Sequence, residues 1–369
     1  SSSEIAWQRS RHVELTAEKT TTNRHLIQQR IQRLIDEAGQ LQQDPVKLAS
    51  EVSVDPLANL QRISPLPSQN PDQWRDAAAA YWQSQSIQMG KVIQRRFPRA
   101  FQTEEVEWPL ASVLRRSGMP AMSDAIYLRR AATAASLLNP DAKPDGSNAA
   151  ARLAAGELWV AKPADEQPPF LGSAIFATLK PRLDGKFDDE CWRDAKEFSL
   201  TGDVPNTPLD DLVIPSKPFV LLSYDDEFFY IAASLPRPPG GSKAGADYDG
   251  RSHDMDLTGF DRLSIRLDVD RDYTTAYEIH IDQRGHVAES LWGDPAWNPK
   301  MSVAIDASDS RWRLEAAIPM SDLVKTPPKQ KSVWAVSLTR TMPQSGWQSW
   351  VTPVSGRPSP TQFGLVRFR

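Results

Sequence analysis

This 369-residue chain lacks the features that mark several classes of protein. It has a single cysteine, Cys191, so it forms no internal disulfide and has no zinc site of paired cysteines. It has no apolar run of about 18 residues, so we predict no transmembrane helix. Its 43 lysines and arginines do not outnumber its 47 aspartates and glutamates, and neither half has the basic excess expected of a nucleic-acid-binding protein.

Sequence motifs of catalysis are also missing. The chain has five histidines, and no Gly-x-Ser-x-Gly, His-Glu-x-x-His or glycine-rich phosphate loop accompanies them. His280 lies between Ile279 and Ile281, so on a strand its imidazole points away from two apolar side chains and lies exposed or lines a groove. We therefore predict that the protein is not an enzyme.

The first part of the chain has the apolar spacing of helices. Apolar residues recur every three or four positions over 26–41, and a second such stretch follows Asp72 and stops at Phe97-Pro98. Shorter helices are predicted further on, over 110–116, 124–138 and 148–155. We interpret residues 1–160 as an all-α domain of helix pairs, which is either a docking platform for a partner or a cap packed on the rest of the chain.

A proline-rich connector over residues 161–174 separates the helices from a segment with a different pattern. Beyond it, apolar and polar residues alternate with the period of β-strands. Strands are predicted over 219–224, 228–234, 263–269, 276–282, 301–305, 311–317, 333–339 and 364–368. We therefore predict an antiparallel β-sandwich over residues 175–369, and an α + β fold class in which an N-terminal all-α domain precedes the sandwich.

Several motifs in the second half follow one another in a recognisable order. The stretch LDGKFDDECW from Leu183 contains a tight Asp-Gly turn and a tryptophan that can fill a core. It is followed by YDDEFFYIAA from Tyr224, DRLSIRLD from Asp261, WRLEAAIP from Trp312 and FGLVRF from Phe363. In this order and spacing the segment resembles the family 9 carbohydrate-binding modules and their DOMON-like relatives, which are β-sandwiches.

The resemblance also implies where a sugar would bind. In sugar-binding members of the family two tryptophan rings hold the sugar, and an Asp, a Glu and an Arg bond its hydroxyls. Placed by the strand motifs, these five positions fall on Thr258, Ser264, His280, Pro236 and Arg357. The resemblance therefore implies the sandwich without the usual sugar-binding residues of the family.

Other aromatic residues offer a substitute binding site. The loop that contains Trp292, Asp294 and Trp297 is either a sugar platform or an interface, with another protein or with the helical half of this chain. The further candidate ligand-binding residues are Trp347, Trp350, Tyr248 and His280. Because Trp347 and Trp350 are three residues apart near a strand, we expect one to face the core and the other to face outward.

Two acidic loops raise the question of calcium. Asp268, Asp270 and Asp272 begin like a calcium loop, but Tyr273 at the sixth position and Ile279 at the twelfth exclude an EF-hand. A second cluster lies at Asp247, Asp249, Asp254 and Asp256. Each cluster is either a calcium site, for which the first is our candidate, or a solvated turn; no other cofactor is expected.

The leading prediction is a non-catalytic binding or assembly module that acts as an interaction or structural subunit with one or more protein partners. One alternative is a glycan-binding protein that uses the aromatics near Trp292 and Trp297. Another is a C-terminal appendage of a larger enzyme. The start at Ser1 has no visible signal peptide, which fits a cytoplasmic chain or a mature or truncated one; we expect an extracytoplasmic location, periplasmic, cell-surface or secreted.

Overall fold

A computed structural model describes residues 71–135, 146–163, 168, 171–202, 217–238, 256–343, 345–351 and 359–369. The chain divides into two compact units, Ser1–Asp124 and Ala125–Arg369. The helix predicted over 26–41, the candidate Tyr248 and the family position Arg357 lie outside the described residues. Among the described residues, no helix is long and apolar enough to cross a membrane.

The described part of the first unit is helical. Its helices are α1 (Pro71–Arg96), α2 (Pro98–Phe101), α3 (Glu104–Arg116) and the start of α4 (Pro120–Ala135), which continues into the second unit. Helix α1 ends just before Phe97-Pro98, as predicted, because a residue that precedes proline disfavours the helical conformation. Helix α3 is buried from Val106 through Leu114.

The second unit contains helix α5 (Gly146–Ala161) and the strands. The described strands are β1 (Gly172–Phe176), β2 (Phe198–Ser199), β3 (Phe219–Tyr224), β4 (Phe228–Pro236), β5 (Arg262–Asp268), β6 (Tyr277–Asp282), β7 (Val287–Leu291), β8 (Ser302–Ala307), β9 (Arg311–Pro319), β10 (Val333–Met342), β11 (Gly346–Ser349) and β12 (Gly364–Phe368). Short helices lie between them: α6 (Glu190–Arg193), α7 (Met320–Leu323) and the 3-10 helix Pro360–Gln362. All eight predicted strands are present, and the α + β fold class is confirmed.

The strands form one curled sheet with the order β7-β6-β5-β10-β12-β1-β3-β4-β9-β8. Strand β1 pairs in parallel with both β12 and β3, and it joins two otherwise antiparallel layers. We call β7-β6-β5-β10-β12 layer A and β3-β4-β9-β8 layer B. Strand β11 extends layer A, and Thr201 after β2 exchanges backbone hydrogen bonds of 2.9 and 2.7 Å with Ser349 of β11. This exchange ties the two layers together on one side.

Aromatic rings fill the space between the layers. Phe229 of β4, Trp334 of β10 and Phe368 of β12 are all buried, and each ring contacts the other two at centroid distances of 4.7 to 6.3 Å. The other side of layer B is covered by a segment in which Cys191 and Trp192 are buried. Burial raises the pKa of the Cys191 thiol to about 12, which disfavours the reactive thiolate.

The Asp-Gly turn of the recognised motif is held by one carboxylate of β9. The backbone N–H groups of Asp184 and Gly185 donate to Glu315 Oε2 at 2.9 and 2.7 Å, and Trp192 Nε1 donates to Oε1 at 2.7 Å. Gly185 has a φ of +79°, and a Cβ there would lie 2.6 Å from the Cβ of Asp306. These residues are therefore scaffold, and they carry no exposed binding group.

Helix α5 packs on the sandwich through a buried acid. Glu157, 3% exposed, lies 3.0 Å from Arg271 Nε and accepts a hydrogen bond from the Tyr273 hydroxyl. The Arg367 guanidinium lies 5.3 Å from the Trp159 ring. The compact unit of the sandwich therefore includes this helix, whereas the sequence places it in the helical domain 1–160; the limits 1–160, 161–174 and 175–369 stay a prediction.

Candidate functional site

The outward face of layer A carries polar side chains because its strands alternate. On β5 the side chains of Leu263, Ile265 and Leu267 are buried, and the intervening ones are partly exposed. On β6, Ile279 and Ile281 are buried and the residue between them, the imidazole of His280, is partly exposed. A strand with this period places its polar set on one face, so these residues share the surface opposite the core.

Strand register lines these polar residues up in rows. Ser264 is paired with His280 on one side and with Thr339 on the other, and Thr339 is paired with Ser349. The next row contains Arg262, Thr341 and Trp347, and a third contains Arg266 and Glu278. We call this surface the outer strip: Arg262, Ser264, Arg266, Glu278, His280, Thr339, Thr341 and Trp347.

Most polar groups of the outer strip are already engaged with one another. His280 Nδ1 lies 2.8 Å from Ser264 Oγ, and Arg266 Nε lies 3.0 Å from Glu278 Oε1. Burial lowers the pKa of the His280 imidazole; Glu278 opposes that shift, while Arg266 and Arg262 add to it. The outer strip is thus a surface of paired charges around an imidazole that favours its neutral form.

The two tryptophans at 347 and 350 face different ways, as the sequence predicts. The side chain of Trp347 is 47% exposed at the end of the outer strip. Trp350 packs edge-to-face on Phe198 with ring centroids 4.6 Å apart, and a Cβ on Gly364 would lie 2.5 Å from its ring. Trp347 therefore offers a ring to a ligand, whereas the packing of the sandwich uses Trp350.

The loop after β7 presents less aromatic surface than the sequence predicts. Trp297 is 7% exposed; its ring lies 4.7 Å from that of Tyr277, and its Nε1 donates to the Asp322 carbonyl at 3.2 Å. The Trp292 side chain is partly exposed on a backbone with φ +52°, and the exposed Asp294 carboxylate accepts a hydrogen bond from its own loop. Trp297 therefore packs within the sandwich itself, which is none of the alternatives that the sequence analysis gives for this loop.

The structure does not bring these aromatic groups together. Leu291, next to Trp292, is paired with Tyr277, the first residue of β6. Arg262, in the same row as Trp347, is paired with Asp282, the last residue of β6. The two ends of that strand are about 17 Å apart at the usual rise per residue. His280 belongs to the end of Trp347, so the candidate residues form two separate groups.

A buried ion pair that the sequence analysis missed supports the strand of Trp347. Arg340, 1% exposed, donates to Asp261 Oδ1 at 2.9 Å and to Gln348 Oε1 at 3.1 Å, and Trp312 Nε1 donates to Asp261 Oδ2 at 2.9 Å. Arg340 also donates to the carbonyl of Pro236 at 2.6 Å. The sequence contains a signal for this buried pair, because Arg340 occupies a position of β10 at which the alternation predicts an apolar residue.

The acidic loop after β5 concentrates negative charge. Asp268, Asp270 and Asp272 offer carboxylate oxygens that all lie within 4.8 Å of one another, and the first and third residues are buried. Burial raises the pKa of Asp268 well above its usual value, and the charges of Asp272 and Asp270 raise it further. Three oxygens from carboxylates suit a hard divalent cation, so the residues fit calcium in charge and ligand type.

Comparisons with known proteins find similarity in fold only. No family model and no curated protein matches the chain. A family 9 carbohydrate-binding module of Caldicellulosiruptor kristjanssonii, solved with cellotriose, matches 54% of this chain and 93% of its own length, with 13% identity and a TM-score of 0.39. The structure of that module solved with glucose matches 53% of this chain and 95% of its own length, with 13% identity and a TM-score of 0.38. A protein of Bacteroides uniformis matches 54% of this chain and 98% of its own length, with 14% identity and a TM-score of 0.36.

The matched part is the C-terminal half of the chain. The matches to family 9 carbohydrate-binding modules agree with the resemblance that the sequence motifs predict. At such identities and TM-scores no ligand and no residue role passes from these structures to this chain, so function is argued from the outer strip itself.

Proposed function

We propose that this protein is a non-catalytic recognition module that binds another protein chain through the outer strip. The observation that carries the proposal is the exposed ring of Trp347, 47% accessible at the edge of a surface on which Arg266 and Glu278 form an ion pair. Tryptophan and arginine are the residues that most often dominate the free energy of protein interfaces. The sheet beneath is fixed by the Arg340–Asp261 pair, so the surface is rigid before binding.

Two features support binding over catalysis and over the sugar site of the related family. The family positions Ser264 and His280 hydrogen-bond each other, which satisfies groups that a sugar would have to engage. The charges of Arg266 and Glu278 neutralise each other, so neither of these two side chains offers an isolated charge to stabilise a transition state.

A photo-crosslinking amino acid placed at position 347 tests this proposal in the cells from which the protein comes. We expect a covalent adduct with one defined polypeptide. The matched control carries the same amino acid at position 179, because Leu179 is also large, apolar and exposed, at 67%. Equal labelling at both positions, or none at position 347, would contradict the proposal.

A glycan is the second candidate ligand of the same surface. The exposed Trp347 ring beside the hydroxyl groups of Thr341 and Thr339 is the combination that binds the apolar face and the hydroxyls of a sugar. Calorimetry with oligosaccharides decides between the candidates: binding that Trp347→Ala abolishes favours the glycan, and its absence favours the protein partner. Phe97→Ala is the matched control, since Phe97 is 42% exposed in the helical unit.

We propose in addition that Asp268, Asp270 and Asp272 hold a structural calcium ion, and that the protein works outside the cytoplasm. The support for the ion is the charge density of the loop, which a divalent cation offsets. Fractionation of the source cells tests the location, and recovery in the cytoplasmic fraction alone contradicts it.

A further inference from the structure

A pocket of about 540 Å³, which we call the Phe176 pocket, lies at the end of the sandwich opposite Trp347. Its lining comes from the ends of β1 and β3, from the turn after β3, from the loop that enters β10 and from the residue after β12. Trp347 is paired with Thr341, which lies about 26 Å along β10 from the first residue of that strand. The volume of the pocket is within the range of small-ligand sites.

One part of the lining is apolar and rigid. The Phe176 side chain is 42% exposed, and its ring lies edge-to-face on that of the buried Tyr224 with centroids 5.3 Å apart. The rings of Pro327 and Pro328 add a further wall with few internal rotations. An aromatic or branched apolar side chain of a ligand can pack on these rings.

Charges of both signs also line the pocket. Asp226 is an acid, Lys329 and Arg369 are bases, and all three residues are exposed. The next acid, Glu227, already has a partner, because its Oε2 lies 2.9 Å from the Nζ of Lys180. The lining therefore carries one negative and two positive side chains.

These charges decide which kind of ligand fits. A ligand that fills the pocket displaces water from the charged groups, and a charge that loses its water without gaining a partner raises the free energy. A purely anionic ligand can pair with Lys329 but faces Asp226, and a purely cationic ligand meets the reverse situation. A ligand that carries a carboxylate, an ammonium group and an apolar side chain has a partner for each of its parts.

The backbone around the charged groups is fixed before any ligand binds. Asp225 Oδ1 accepts the N–H of Glu227 at 2.7 Å, which holds the turn that carries Asp226. The carbonyl of Lys329 accepts the N–H of Ser332 at 2.9 Å. A fixed site loses little conformational entropy on binding, so a ligand as small as an amino acid is a feasible occupant.

We propose that the Phe176 pocket binds a free α-amino acid with an apolar side chain. The side chain packs on Phe176, the carboxylate pairs with Lys329, and the ammonium group pairs with Asp226. The positive charge of Arg369 adds to the attraction for the carboxylate. The site is separate from the outer strip, and the proposal stands whether or not the outer strip binds a protein.

Calorimetry of the full chain with L-phenylalanine, L-tyrosine, L-tryptophan and L-leucine tests the proposal. We expect at least one of them to bind with a dissociation constant of about 1 mM or less. Three analogues of the best ligand each lack one part: glycine lacks the side chain, the N-acetyl derivative lacks the ammonium group, and the amide lacks the carboxylate. Each analogue should bind about tenfold more weakly or worse, because one partner in the pocket is left without its counterpart.

Substitutions locate the site and separate the two charges. Asp226→Asn should weaken binding of the amino acid about tenfold, but it should leave the affinity for the N-acetyl derivative unchanged. Lys329→Gln should do the same for the amino acid and leave the affinity for the amide unchanged. The matched controls Asp188→Asn and Lys91→Gln, at an exposed acid and an exposed lysine elsewhere, should bind as wild type does.

The apolar wall is tested by Phe176→Ala, which should weaken binding about tenfold or more. The matched variant Phe97→Ala, at a phenylalanine that is also 42% exposed, should leave binding unchanged. Because Asp226 and Lys329 are exposed, their substitutions remain decisive even if Phe176→Ala lowers the melting temperature.

Four results would overturn the proposal. The first is no heat of binding with any of the four amino acids. The second is equal affinity for the amino acid and its N-acetyl derivative. The third is equal affinity of wild type and Asp226→Asn for the amino acid. The fourth is binding that Trp347→Ala abolishes and Asp226→Asn does not, which places the ligand on the outer strip.

Discussion

Glu315 shows how much of this fold depends on a single side chain. One carboxylate accepts three hydrogen bonds, two from the Asp184-Gly185 turn and one from the Trp192 indole. Hydrogen bonds to a charged group contribute more than neutral ones, and a buried donor that loses its acceptor carries the full cost of its desolvation. The recognised motif around Trp192 thus depends on a residue more than a hundred positions away.

We expect Glu315→Gln to lower the free energy of unfolding by roughly 2 kcal/mol, because the amide N–H₂ faces donors where the carboxylate accepted from them. Urea unfolding followed by tryptophan fluorescence measures the change. Asp306→Asn is the control: this side chain is 45% exposed, and its substitution is expected to change stability by less than about 0.5 kcal/mol. Equal effects of the two substitutions would show that the carboxylate does not hold the turn.

His280 provides a prediction about pH. Burial lowers the pKa of its imidazole in the folded protein, so the unfolded chain takes up the proton first as the pH falls. The contribution of this histidine to stability is therefore complete above its usual pKa of about 6.5, and it is lost as the pH falls from there toward the folded-state value. His280→Asn should show a smaller loss of stability between pH 7.5 and 5 than wild type. Parallel profiles for the two proteins would refute the assignment.

Among the structural elements, the loop after β5 contains both residues that bind Glu157 of α5 and a cluster of aspartates that repel one another. Arg271 and Tyr273 reach Glu157 of α5 from backbone with φ of +57° and +59°, which is unusual for residues other than glycine. Asp268 and Asp270 precede Arg271, and Asp272 lies between Arg271 and Tyr273. The carboxylates of these three aspartates repel one another at short range. A cation bound by the aspartates would stabilise the loop and with it the docking of α5.

Calcium is therefore expected to raise the melting temperature of the chelator-treated protein. A ligand that binds only the folded state adds about 2.7 kcal/mol at a hundredfold excess over its dissociation constant. Asp270→Asn should remove most of this response, and in chelator it should melt no lower than wild type because one repelling charge is gone. Asp188→Asn, at an exposed acid, should respond as wild type does. An identical melting temperature with and without calcium rejects the ion.

At the scale of the whole molecule, α5 belongs to the same compact unit as the sandwich. The compact unit begins at Ala125, and Glu157 of α5 is buried against Arg271 and Tyr273 of the sandwich. A fragment of residues 125–369 keeps this contact. A fragment of residues 164–369 lacks Glu157, so the partly buried Arg271 and the buried Tyr273 lose their acidic partner.

We expect the 125–369 fragment to unfold cooperatively, and the 164–369 fragment to be less stable by more than about 1 kcal/mol, because it loses the hydrogen bond and the ion pair of Glu157. Urea denaturation and near-ultraviolet circular dichroism of the two fragments measure this. If the shorter fragment were as stable as the longer one, α5 would be an appendage, and the predicted limit at residue 160 would describe the folding unit.

Local pattern explains which elements could be predicted. Alternation along β5 and β6 is strong because one face of each strand is buried, and both were predicted from it. Strand β1 was missed: it has five residues and a burial pattern without alternation. For the site, the outward direction of His280 follows from its two isoleucine neighbours. The burial of Trp297 does not follow from its neighbours, because Tyr277 and Asp322 cover it from other parts of the chain.

The sequence by itself determined the helical first part and the strand-rich second part, because periodicity is a local property. Only the tertiary structure decided which candidate groups meet. The Glu157–Arg271 and Arg340–Asp261 pairs, the closure of the turn at Asp184 by Glu315, and the Phe176 pocket join residues far apart in the chain. Such contacts depend on strand order and register, which the pattern of a single strand does not encode.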